Sequence, residues 1–142
     1  MKRTLGLSSA ERVRLLRRRA LRFLEDARRA LQDGFYAEQA AQLYAKALLL
    51  ELAGYVPTTH DVRDILGLIG EALPEDLKQR LHAFSREHRH ELAELTDIYT
   101  NARYGPRALT QEEATATLEV VEELLSLLDA VREEVRGVEQ PG

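Results

Sequence analysis

Arg103 and Tyr104 stand side by side in the stretch NARYGPRALTQEEA, residues 101–114, immediately before Gly105-Pro106. A guanidinium holds phosphate through paired N–H donors, and a phenol ring offers a flat face to a base. The pair therefore suits a nucleotide. It also suits a plain structural role, with Arg103 bonding the last carbonyls of the preceding helix and Tyr104 covering the end of the core. A second polar group is THDVRD, residues 59–64. There Thr59 is expected to cap a helix, with His60 and Asp61 in its first turn. Simple capping, with Asp61 and Asp64 favoured by the helix dipole, would account for it.

His82, His88 and His90 invite a metal reading. On a helix His88 and His90 point to opposite sides and cannot chelate one ion. Glu87/Glu91 and His90/Glu94 are suitably spaced, but each pair supplies only two ligands. His88 falls on an apolar stripe and reads as a core histidine, and the charges around it read as a solvated face. No metal site and no cofactor are expected. Cysteine is absent, so disulfides, thiol nucleophiles and thiolate metal sites are excluded. Neither a glycine-rich phosphate loop nor a Ser/His/Asp set stands out.

The elements that must position these residues are helices. Apolar residues recur three and four apart throughout, and no stretch alternates over a strand's length. The first helix opens with a capping box, Ser8 and Glu11, and runs to about Gln32 on the stripe Val13, Leu16, Ala20, Phe23/Leu24, Ala27 and Leu31. Asp33-Gly34 breaks it. A second, alanine-rich helix spans about 35–53, and its small residues invite close approach by a neighbour. Gly54 stops it. A third covers about 60–73. Pro74 suits the first turn of a fourth, whose stripe runs from Leu77 through Leu81, Phe84, His88, Leu92, Leu95 and Ile98/Tyr99 to Ala102. At roughly 42 Å this helix has room for a bend near SREHRH. Thr110 and Glu113 form a second capping box, opening a fifth helix over about 111–136. The expectation is an all-α, single-domain bundle of about five antiparallel helices, one domain over 1–142 with its ordered core at about 8–136.

The 142 residues are 44% hydrophobic and 31% charged, which excludes disorder, and no apolar run is long enough to span a membrane. The beginning carries no apolar signal region, so a cytoplasmic location is expected. The net charge of −4 hides a gradient. Residues 1–30 hold ten Lys/Arg against three Asp/Glu, and residues 111–142 hold two against nine. A basic first helix attracts phosphate or nucleic acid. It is equally served by lying against the acidic last helix, in the same bundle or across an oligomer contact.

The order of these elements resembles the HEPN family, the "higher eukaryotes and prokaryotes nucleotide-binding" domain. The residues that carry the likeness are YAEQAAQLYAKALLLELAGYVPTTHDVRDIL, then LTDIYTNARYGP, then LTQEEATATLEVVEELLSLL. In that family a His-Asp/Glu opening of the third helix and an Arg-Tyr-Pro corner recur. They align here with His60-Asp61 and Arg103-Tyr104, with Gly105 intervening before Pro106. The resemblance covers about residues 10–135. Its toxin-like ribonucleases carry an Arg followed by a His with four to six residues between, and that spacing is missing here. Arg86 and His90 have three residues between them, and Arg80 and His88 have seven.

The resemblance therefore implies a non-catalytic member. It would be a nucleotide-binding accessory or substrate-binding module, toxin–antitoxin-like in setting, that partners a small nucleotidyltransferase. Arg103, Tyr104, Tyr99, His60 and Asp61 would hold a nucleotide or a similar phosphorylated small molecule without transforming it. The competing readings are a ribonuclease toxin with a degenerate site, Arg86 with His90, and a purely structural helical adaptor. A homodimer through 111–136 is also expected, because that helix carries two apolar stripes. One is Ala114, Leu118, Val121, Leu125 and Leu128; the other is Val120, Leu124, Leu127, Val131 and Val135. One stripe suffices for packing, and a second left in water calls for a partner. Burial of both within one chain is the alternative.

Overall fold

The computed structural model describes residues 8–30, 34–104 and 109–139, with side chains described up to residue 100 in the second stretch and residue 137 in the third. Six helices run through them: α1 (Ser9–Arg29), α2 (Phe35–Ala53), α3 (Val62–Glu71), α4 (Glu75–Glu87), α5 (Arg89–Tyr104) and α6 (Gln111–Glu139). The described residues contain no strand. The protein is an all-α bundle.

α2 is the central element. It packs against α1, α3, α5 and α6, and a helix enclosed on every side must be apolar or small nearly all round. Ala40, Ala41, Ala45 and Leu49 are fully buried, and Ala37 and Ala47 nearly so. Those short side chains let the α1 and α2 backbones run close together. At its start Gly34 sits in the left-handed region at φ 77°, and at its end Gly54 does so at φ 84°. α1 contributes Val13, Ala20, Leu24 and Ala27 to the core, and α3 contributes Val62, Ile65, Leu66 and Ile69. Both capping boxes form. Ser8 and Glu11 exchange side-chain and backbone bonds at 2.9 and 3.1 Å, and Thr110 and Glu113 do so at 2.9 and 3.0 Å.

Some sequence expectations need correction. The long helix expected over 75–102 is two helices, divided at His88, whose backbone leaves the α region at φ −112° and ψ 30°. No Gly or Pro marks the spot. The hydrogen bonds nearly bridge it, since His88 donates to the Phe84 carbonyl and accepts from Leu92 N. The apolar stripe continues across, so α4 packs on α3 and α6 while α5 packs on α2, α3 and α6. α1 ends at Arg29, with Ala30 as its cap, short of Gln32. Thr59 does not cap α3. Asp61 does, accepting from Arg63 N at 2.8 Å, which leaves His60 before the helix and not in its first turn. Thr59 instead accepts from Asp61 N and donates to Asp64. Pro74 occupies the cap position of α4, one residue before its first turn.

The premise for a dimer also changes. Both stripes of α6 are taken up inside the chain: Val121, Leu124 and Val131 are fully buried, Leu128 and Val120 nearly so, and Leu118, Leu127 and Val135 partly. A wide apolar face is covered by more than one neighbour, because α6 lies against α2, α4 and α5 together. Packing of this helix therefore asks for no second copy.

Charge patterning is resolved in part the same way. α1 lies beside α6, with Arg28 bonded to Glu122 at 2.7 and 3.0 Å and Arg17 to Asp129 at 3.4 Å. Tyr44 of α2 also donates to Asp129, and the Arg17 guanidinium lies 5.0 Å from the Tyr44 ring centre. Arg132 of α6 reaches Glu51 of α2 at 2.6 Å. These contacts pin the three helices together. No helix among the described residues is long and apolar enough to cross a membrane.

Candidate functional site

The segment between α2 and α3 brings His60 against α5. Its ring stacks on Tyr99, with centroids 5.4 Å apart and planes inclined by 26°. Two of the five residues singled out from the sequence are thus adjacent. Asp61 stands next to them. It caps α3 and takes two further bonds from Arg63, at 3.1 and 3.3 Å. Arg63 in turn reaches Thr96 of α5 at 3.3 Å, tying the start of α3 to the helix that carries Tyr99. Burial pushes the Asp61 carboxyl up, but the bonds from Arg63 outweigh it and hold the group below its ordinary value. Asp61 is therefore a charged, occupied cap, engaged from its own helix.

Arg103 and Tyr104 lie in the last turn of α5, with Arg103 one helical turn beyond Tyr99. Their side chains, and the Gly105-Pro106 break, lie outside the described residues.

Behind His60 lies a row of polar groups that the sequence reading passed over. Glu38, Gln42 and Lys46 occupy successive turns of α2, four residues apart, and are 1%, 3% and 7% exposed. Glu38 accepts from Gln42 Nε2 at 2.8 Å and from Gln39 Nε2 at 2.7 Å. Lys46 Nζ donates to Gln42 Oε1 at 2.9 Å. His60 Nδ1 lies 3.0 Å from that same oxygen and 3.2 Å from Lys46 Nζ. The row thus leads from the interior to the stacked ring. Burial raises the Glu38 carboxyl to about 7, more than its hydrogen bonds from Gln42 and Gln39 and the charge of Lys46 can offset. Burial likewise lowers Lys46, against the pull of Glu38.

In the sequence, the four-residue spacing of Glu38, Gln42 and Lys46 puts them on one face of α2, but that this face is buried follows only from the helix's neighbours. Once buried, such polar groups come in bonded sets.

The arrangement can bind. Tyr99 and His60 give a paired aromatic surface, and Lys46 lies one bond behind it. Charge-assisted donors beside stacked rings are the means by which proteins hold phosphorylated aromatic ligands.

The histidines at the α4–α5 junction do not gather. His88 packs its ring 4.5 Å from Phe84, with Glu91 and Glu123 at 3.9 and 3.6 Å. Arg86 lines a groove against α3, whereas His90 lines a different hollow with Glu94, Glu112 and Glu113. The pair expected for a degenerate ribonuclease is therefore split between two faces. Among the described residues, no group of three or more His, Asp or Glu is placed to hold a metal ion.

A comparison with curated proteins found no match, and neither did one with solved structures. A family model does match, that of the HEPN domain, over residues 13–133. The match begins within α1 and ends within α6, so it takes in α2, the His60–Tyr99 stack and the α5 corner alike. The chain belongs to the HEPN domain family.

Proposed function

We propose that this HEPN domain binds a nucleotide, or a similar phosphorylated small molecule, at the corner where α2, the start of α3 and the end of α5 meet. In this reading it serves a small nucleotidyltransferase as an accessory subunit and does not transform the ligand. The observation that carries the reading is the His60–Tyr99 stack with the Lys46 ammonium 3.2 Å behind the imidazole. Tyr99 and His60 would take the base, and Arg103, one turn further along α5, would take phosphate. Tyr104 would close the far side. Asp61 contributes by fixing Arg63 and the start of α3, which holds His60 in place.

The test is calorimetric titration with nucleotides. Arg103→Ala should weaken binding on the order of tenfold or more, the worth of one charge-assisted contact. Tyr99→Leu should weaken it as well, by removing the stacking partner. Unchanged affinity in a folded Arg103→Ala protein would show that the corner is structural.

A further inference from the structure

A second concave surface adjoins α3, sharing Arg63 with the polar corner. It is a groove of about 410 Å³ between α3 and the α4–α5 junction, within the size range of small-molecule sites. Arg63, Leu66 and Gly67 supply one wall, which is a single face of α3 at three- and four-residue spacing. His82, Ser85, Arg86 and Arg89 supply the other, again at that spacing, carried across the His88 break from α4 into α5. Leu81 and Leu92 close the floor and are almost fully buried.

The charge of this groove runs against that of the protein. In a chain of net charge −4, three guanidinium groups line it and no carboxylate does. The groove between α4 and α6, by contrast, is lined by Glu87, Glu119, Glu122 and Glu123 with only Arg80 in opposition. Arg86 and Arg89 are exposed and form no ion pair among the described residues, and Arg63 spends only its Nε and Nη2 on Asp61 and Thr96. Arg63 is held by Asp61, whereas Arg86 and Arg89 bring two further guanidinium groups to the same groove, where an anion would find donors from both walls.

Gly67 is the independent observation. It lies in the middle of α3, where glycine costs a helix about 1 kcal/mol relative to alanine. Its backbone needs no positive φ, and a β-carbon built there would meet nothing within 4 Å. Neither conformation nor packing requires the residue. Its effect is to leave bare backbone on the groove wall opposite Arg86 and Arg89, where a bulky group can approach closely.

We infer that the groove between α3 and the α4–α5 junction is an anion site that takes the adjacent phosphates of a small polyphosphate, held by Arg63, Arg86 and Arg89 with Ser85 and His82 as further donors. Pyrophosphate and the tail of a nucleoside polyphosphate share this chemistry. The site is centred on Arg86 and Arg89, shares only Arg63 with the α5 corner, and does not rest on that reading.

The experiment is calorimetric titration of the full chain with inorganic pyrophosphate, repeated with a nucleoside triphosphate and with a short single-stranded RNA. Wild type should bind pyrophosphate, and Arg86→Gln with Arg89→Gln should weaken it on the order of a hundredfold, two charge-assisted contacts at about tenfold each. Gly67→Leu, which fills open space at an exposed helix position, should weaken binding while leaving the helical circular dichroism unchanged. Arg103→Ala should leave pyrophosphate affinity unaltered. A triphosphate that binds through Arg86 and Arg89 more tightly than pyrophosphate identifies a nucleotide source, and equal affinity identifies the free polyphosphate. The inference is overturned by absent binding at millimolar pyrophosphate, by binding indifferent to the Arg86/Arg89 pair, by loss on Arg103→Ala, or by an arginine-dependent affinity seen with RNA alone.

Discussion

Glu38 sits 1% exposed among alanines and releases its proton only at about 7, so it sets a pH dependence of stability. Its ordinary value is 4.5, and between 4.5 and about 7 the folded protein holds more protons on this group than the unfolded chain does. Stability from this group is therefore full below 4.5 and falls as pH rises through 7. The shift is worth about 3 kcal/mol when complete. Urea unfolding at pH 5 and pH 8 should show the wild type losing stability on that account, and Glu38→Gln should flatten the difference. An unchanged difference would mean that Glu38 ionises freely in the folded state. Gly34 gives a second prediction at this scale. Its φ of 77° strains any L side chain, and a β-carbon would stand 2.9 Å from Leu109 Cδ1 and 3.1 Å from Ile98 Cδ1. Gly34→Ala should cost about 2 kcal/mol, read from the urea midpoint.

At the scale of the helix, α6 decides what a charge in the core does. Leu124 is fully buried against its own chain, so Leu124→Glu should unfold the protein and not yield a folded monomer. Far-ultraviolet circular dichroism separates the two outcomes. Ser8→Ala and Thr110→Ala, which remove the two capping boxes, should each cost about 1 kcal/mol. The helices themselves were legible because their starts and stops are chemical. Ser8/Glu11, Thr110/Glu113, Gly34 and Gly54 punctuate the sequence where the backbone turns. The division at His88 falls in SREHRH, where the length of the apolar stripe left room for a bend, but no Gly or Pro there told a bend from a full break. The candidate site was half legible. His60 and Tyr99 were set side by side through the family resemblance, whereas Glu38, Gln42 and Lys46 were hidden in a helix that reads as core. Polar side chains look like surface until the burial of the whole helix is known.

For the whole molecule, the separation of Arg86 from His90 predicts that the purified protein does not cleave RNA, with or without divalent metal. Cleavage that disappears in His90→Ala would overturn this. The first helix keeps much of its charge in water. Arg17 and Arg28 are engaged by α6, but Arg12, Arg14, Arg18, Arg19 and Arg22 are exposed. Such exposed pairs and free charges contribute little to stability, so salt should barely move the unfolding midpoint.

The break at His88 also bears on how the molecule opens. α4 buries only Leu77 and Leu81, whereas α2 is buried along most of its length. With no continuous helix joining it rigidly to α5, α4 can detach from α3 without disturbing the α1–α2 pair. Under native conditions, then, backbone amides of α4 should trade hydrogen for deuterium through a local opening of low free energy, while those at the centre of α2 should wait for global unfolding. An anion seated against Arg86 and Arg89 would slow the first class of amides and leave the second unchanged.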